Sequence, residues 1–152
     1  MTDQTPNALE WAPLLEEHRL LLKQIADFRA WAKEVDELGF PHFREMGIRL
    51  QTLRDVLSCH FVDEEAGGYL APVLNAAPQF SSEAAELKAQ HAEFLTTLDR
   101  LIARLTTEPP EFESWQVAVK EFEDFLELLR RHESRENSMA QKAFGRDIGA
   151  AD

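Results

Sequence analysis

Apolar residues recur every three to four positions along four long stretches of this chain, and no stretch alternates convincingly with the period of two that a strand needs. The first stripe is Trp11, Leu14, Leu15, His18, Leu21, Leu22, Ile25, Phe28, Ala32 and Val35. Pro13 suits the first turn of that helix and Gly39 its end. After the turn at Gly39-Phe40-Pro41 a second stripe follows: Met46, Leu50, Leu53, Leu57, His60, Phe61 and Glu64, stopping at Gly67-Gly68. Residues 69–80 hold two prolines and are expected to form an irregular connection. Ser81 or Ser82 is placed to cap a third helix, with Glu83 and Glu86 near its positive end. Its stripe is Leu87, His91, Phe94, Leu95, Leu98, Ile102 and Leu105. Beyond a Pro-containing break at 106–114, the fourth stripe is Ala118, Phe122, Phe125, Leu129, His132, Glu136 and Met139, ending near Gly145. Four amphipathic helices joined by short or moderate links predict an all-α, up-down-up-down antiparallel four-helix bundle. The expected organisation is one domain over 1–152, with its core at about 11–145 and short frayed termini.

Six ionisable residues interrupt these stripes: His18, His60, Glu64, His91, His132 and Glu136. Positions four apart lie on one helix face, about 6 Å apart along the axis, so His60/Glu64 and His132/Glu136 can each address one site. The placement repeats: His18 to His91 spans 73 residues, while His60 to His132 and Glu64 to Glu136 each span 72. Each histidine lies 18 to 21 residues from the turn that ends or begins its helix. That is roughly 30 Å at helical rise, so an up-down bundle brings all four to one height. A lone histidine on an apolar face is ordinarily a core or boundary residue, and a His–Glu pair four apart is ordinarily a surface ion pair. Six such residues at matched heights are hard to obtain that way. Buried imidazoles and carboxylates need partners. Facing one another, they form a donor set for two transition-metal ions about 3–4 Å apart, bridged by carboxylates. Imidazole with carboxylate suits iron, and also manganese or zinc.

Composition narrows the partners. With 28 acidic against 16 basic residues the formal charge is -12, which argues against a nucleic-acid backbone or an anionic membrane surface. The single cysteine, Cys59, rules out an internal disulfide and a CxxC site. Nothing in the first residues reads as a signal peptide, and no run reaches membrane-spanning length, so a cytoplasmic location is expected.

The order His, His-x3-Glu, His, His-x3-Glu on four helices resembles the hemerythrin-like HHE cation-binding domains. The text around His60, "HFVDEE" followed by "YLAPVL", is similar to that family's His-Phe-x-x-Glu-Glu and Tyr-x-x-Pro pattern. The likeness runs from about residue 11 to 143. It implies a hemerythrin-like bundle holding two iron ions, with an oxo or hydroxo bridge allowed. His18, His60, His91 and His132 would be terminal ligands, and Glu64 and Glu136 bridging or chelating ones. It also implies a small-molecule partner such as dioxygen, nitric oxide or peroxide. Two departures matter. Oxygen carriers have His-x3-His on the third helix, where this chain has Leu95 four residues after His91; they have His-x4-Asp on the fourth, where it has His132-x3-Glu136. One imidazole is therefore missing, which leaves an open position or a ligand still to be found. The departures move the expectation from a simple oxygen carrier toward oxygen, iron or nitric-oxide sensing, or peroxide chemistry. A di-iron enzyme and an iron-handling or storage protein remain as alternatives, and a sensor would need a separate protein partner.

Other residues take lesser roles. Tyr69, the only tyrosine, is a candidate hydrogen-bond donor near the site or an extra ligand, unless it packs over the bundle end. Glu65 points about 100° from Glu64 and is expected in solvent or behind a ligand. Phe61, Phe94 and Leu95 are expected to wall the site. His42 belongs near the distant turn, and Cys59 is expected to be a buried, inert thiol. The charges of "EFEDFLEL" and "LLRRHESRE" are expected mostly on the outward face of the fourth helix.

Overall fold

The computed structural model describes residues 8–39 and 41–145. The side chains of Trp11, Leu14 and Leu15, and the segments 1–7 and 146–152 expected to fray, lie outside the described residues. Four long helices form the fold: α1 (Ala8–Leu38), α2 (Phe43–Asp63), α4 (Ser81–Thr106) and α5 (Trp115–Phe144). A shorter helix, α3 (Leu70–Ala76), lies between α2 and α4. No strand occurs among the described residues. α1 packs on α2 and α5, and α4 on α2 and α5, so the long helices close into a ring in the order α1, α2, α4, α5.

The stripes face inward almost as expected. Leu21, Ile25, Phe28, Leu50, Leu53, Leu57, Leu98, Phe122, Phe125 and Leu129 are buried in one apolar core. Burying such side chains contributes roughly 1.5–3 kcal/mol each. Leu22 is instead partly exposed, and Leu101 rather than Ile102 is buried on α4. These shifts of one position move the burial by 100° around a helix whose seam was read slightly off centre. α1 begins at Ala8, so Pro13 lies in its second turn rather than its first.

Residues 69–80, expected to be irregular, are mostly helical: α3 is followed by a 3₁₀ turn at Pro78–Phe80. Both prolines are compatible with this, because each falls in a first turn, where a backbone N–H has no helical acceptor. The 3₁₀ turn runs directly into α4, so the expected serine cap is not made. Ser81 Oγ instead donates to the Pro78 carbonyl at 2.6 Å. At the start of α5 the cap does form, with Ser114 Oγ accepting from Val117 N at 3.2 Å.

α3 packs on α4 and α5 and closes one end of the bundle. Tyr69, Leu70 and Val73 make a second, smaller core there with Ala84, Leu87, Met139 and Ala140. A polar layer lies between the two apolar cores. It contains the buried ionisable side chains found among the described residues: His18, His60, Glu64, His91, His132, Glu133 and Glu136.

Candidate metal centre

Each long helix delivers part of that layer. α1 supplies His18, α2 and the turn after it supply His60 and Glu64, α4 supplies His91, and α5 supplies His132, Glu133 and Glu136. The turn after α2 is unusual. Residues Glu64–Gly68 make a kinked turn in which Ala66 and Gly67 leave helical backbone angles, Gly67 at φ +100°, and the Tyr69 N–H donates back to the Glu64 carbonyl. Here the turn starts at Glu64, which is fully buried, and ends beside Tyr69.

The four imidazoles turn the same nitrogen inward. His18 Nε2 lies 3.3 Å from Glu64 Oε1 and 3.7 Å from Glu136 Oε2. His91 Nε2 lies 3.3 Å from Glu64 Oε2 and 3.4 Å from Glu136 Oε1. His60 Nε2 contacts Glu64, and His132 Nε2 contacts Glu136, each across one helical turn. The opposite edges face oxygen acceptors. His60 Nδ1–H donates to Glu17 Oε1 at 2.7 Å, and His132 Nδ1–H to Gln90 Oε1 at 2.7 Å. His18 Nδ1–H donates to Asn137 Oδ1 at 3.3 Å, and Glu65 Oε1 stands 3.6 Å from His91 Nδ1. An acceptor at Nδ1 fixes the proton there and leaves the Nε2 lone pair free to bind a metal.

The inward atoms are close together but poorly satisfied. His18, His60 and His132 Nε2, both oxygens of Glu64 and of Glu133, and Glu136 Oε2 are buried without a hydrogen-bond partner. Native interiors rarely tolerate this. Lone pairs converging on a common centre are what a cation would satisfy, so the residues present fit a metal. The donor atoms fall into two groups, each within 4.8 Å: His18, His60, Glu64, Glu133 and Glu136, and then Glu64, His91, His132 and Glu136. Glu64 and Glu136 belong to both.

Electrostatics in the ion-free protein agree with this crowding. Burial disfavours the Glu64 carboxylate, but the close approach of the His18, His60 and His91 imidazoles outweighs it and holds its pKa far below the usual range. Glu136 goes the other way: burial, then the neighbouring Glu133 and Glu64 charges, keep it protonated well above the usual range. Burial also opposes the His60 cation, yet Glu133 and Glu64 raise it to about 11. His132, with burial dominant, falls to about 4. Glu64 and Glu136 thus share the layer by taking opposite charge states, and protons stand where cations would otherwise compensate.

The six residues of the sequence motif are brought together. Phe61 stacks on His91 with ring centroids 4.0 Å apart, and Phe94 meets His132 edge-on at 5.1 Å. Leu95 is half-buried and packs against the main apolar core. Tyr69 is buried; its hydroxyl donates to the Glu136 carbonyl and its ring lies 6.0 Å from His18. Glu65 is exposed apart from its approach to His91. His42 is held at the far end between Trp31 and Trp115. Cys59 is exposed, not buried as expected. It neighbours His60 in sequence, and a 100° step along α2 turns it from the core to solvent.

Glu133 was missed by the sequence reading, which assigned the charges of its run mostly to the outward face. It is fully buried. Its signal is a second row on α5, one residue behind the first: Val119, Leu126, Glu133 and Ala140 follow Ala118, Phe125, His132 and Met139 at intervals of seven, and all eight are buried. Glu17, Gln90 and Asn137, which hold the outer edges of three imidazoles, were also missed; no motif marks them.

Comparison with known proteins adds an independent line. Searches of curated proteins and of solved structures return no match. The family model for the hemerythrin HHE cation-binding domain matches residues 11–143. That span contains every residue of the polar layer, and the chain belongs to the hemerythrin HHE cation-binding domain family.

Proposed function

We propose that this protein holds two iron ions in the polar layer and uses them to bind or sense dioxygen or a related small molecule, nitric oxide or peroxide. The observation that carries the reading is the inward convergence of four imidazole Nε2 atoms on two shared glutamates, with oxygen atoms facing the outer edges. His18, His60, His91 and His132 are the terminal ligands, and Glu64 and Glu136 the bridging ones. Bound iron would supply a redox-active Lewis acid with a vacant coordination position. Manganese or zinc would fit the same donors but would not serve the same redox role equally.

The chain's own residues set the conditions. Phe61 and Phe94 place aromatic surface against His91 and His132, which excludes bulk water and favours small, weakly polar ligands. Tyr69 ties the bundle end to the Glu136 backbone and thereby steadies one bridging carboxylate. Its hydroxyl is already donating, which weighs against the enzyme alternative in which Tyr69 acts as a general acid.

Anaerobic reconstitution with ferrous iron, metal analysis, and absorption spectroscopy on exposure to air, nitric oxide or peroxide test the proposal. Two ions per chain and a reversible band with dioxygen or nitric oxide are expected. Sustained turnover of peroxide would replace the binding role with an enzymatic one. Iron uptake without either response would leave an iron-handling protein.

A further inference from the structure

We infer that Glu133 is a third terminal donor to one ion of the pair, so that the two ions are unequal and the open position lies on the ion held by His91 and His132. This rests on the two-ion reading above. Glu133 is completely buried, and neither carboxylate oxygen has a hydrogen-bond partner. The basic side chains found beside it are the imidazoles of His18 and His60. A carboxylate in such a place needs compensation.

Orienting His18 does not explain it. The Nδ1 edge of His18 carries one hydrogen, and Asn137 Oδ1 is the better-placed acceptor, at 3.3 Å against 3.5 Å for Glu133 Oε2. The other oxygen, Oε1, faces the inward edge of the neighbouring ring, 3.7 Å from His60 Nε2. Its donor atom groups with those of His18, His60, Glu64 and Glu136, and not with those of His91 and His132. With Glu64 and Glu136 shared, one ion therefore has three terminal donors and the other has two.

The second ion's group also borders a surface opening. A hollow of about 250 Å³ whose lining includes Gln90, Glu93, Phe94, Arg131, His132 and Arg135 reaches His132 from outside. α4 offers no further donor one turn along from His91, because that position is Leu95. The imidazole missing from α4 is thus offset by a carboxylate from α5, on the other ion.

The test is a titration of the full-length ion-free protein with cobalt(II), read by visible absorption, whose intensity rises as coordination number falls, and by metal analysis. The wild type should take two cobalt ions in a tight step and a weak step. Glu133→Gln keeps an oxygen acceptor for His18 but is a poor metal donor. Glu133→Leu continues the apolar row of Val119, Leu126 and Ala140. Both should weaken the tight step by more than about 100-fold, the upper end of what losing only a ligand's hydrogen-bonding partner costs. Both should leave the weak step in place, while His91→Ala should weaken the weak step alone. The ion-free Leu variant should melt at or above the wild-type temperature, which establishes that it is folded. Two cobalt ions bound unchanged by Glu133→Gln, or both steps weakened equally, would overturn the inference alone. A wild type that takes a single cobalt would overturn the two-ion reading itself.

Discussion

Glu64 and Glu136 each stand against three imidazoles, whereas His42 meets only tryptophan rings and Glu45 at the other end of the bundle. Replacing either shared glutamate by alanine removes a donor common to both ions. Metal analysis after dialysis should find most of the bound metal lost in Glu64→Ala and Glu136→Ala, and wild-type content in His42→Ala. Normal metal in the Glu64 variant would show that the bridge lies elsewhere. Tyr69 gives a separate test. Its hydroxyl serves the Glu136 carbonyl, so Tyr69→Phe should cost about 0.5–1.5 kcal/mol of stability by chemical denaturation. It should leave two ions in place; loss of one would make Tyr69 a ligand. At this scale the sequence discloses residues whose chemistry is out of place on an apolar stripe. The motif histidines and glutamates were legible for that reason. Glu133 was not, because a charged run on a mostly solvated face hides one member that turns inward. Gln90 and Asn137 were not, because an amide on a helix carries no mark of what it will touch.

The long helices were legible because their apolar spacing extends over many turns, and Gly39 and Gly145 end two of them with positive φ. The stretch after α2 was not, since its two prolines resemble a break. A first-turn proline fits a helix as well as a loop, and only packing against α4 and α5 decides between them. The stop near Gly67-Gly68 was legible, but the kinked turn from Glu64 to Gly68 that makes it was not, because spacing says nothing of backbone angles. Gly67 is the hinge of that turn. A methyl group there meets no atom within 4 Å, so any cost comes from backbone conformation alone. Gly67→Ala should therefore destabilise the protein by about 1–2 kcal/mol in a denaturant melt. Gly67→Asn should cost less, since asparagine tolerates positive φ better. Equal stability of all three proteins would mean that the turn readily adopts another conformation.

For the molecule as a whole, the polar layer divides what would otherwise be one continuous core. Without ions it keeps buried acids and imidazoles that satisfy one another imperfectly. An ion present at a thousandfold over its Kd stabilises the folded state by about 4 kcal/mol. For a chain of this size that is a rise of about 10 °C in Tm. Calorimetry of ion-free and loaded protein should show a difference of that order. Identical melting temperatures would mean that ions bind outside the layer. Ion pairs crossing between helices, such as Arg29–Glu127 at 3.0 Å and Arg54–Asp99 at 2.9 Å, lie at the surface and offer little substitute.

The proposed donors run from His18 to Glu136, so the layer draws on nearly the full length of the chain. This has a consequence for biosynthesis. Translation delivers His18, His60 and Glu64 first, then His91, and the three donors of α5 last. A nascent chain that has not yet released α5 lacks His132, Glu133 and the second shared glutamate. It cannot enclose a pair of ions, however much metal surrounds the ribosome. Metal capture is thereby tied to completion of the bundle, and an arrested or truncated product without α5 would leave the ribosome empty.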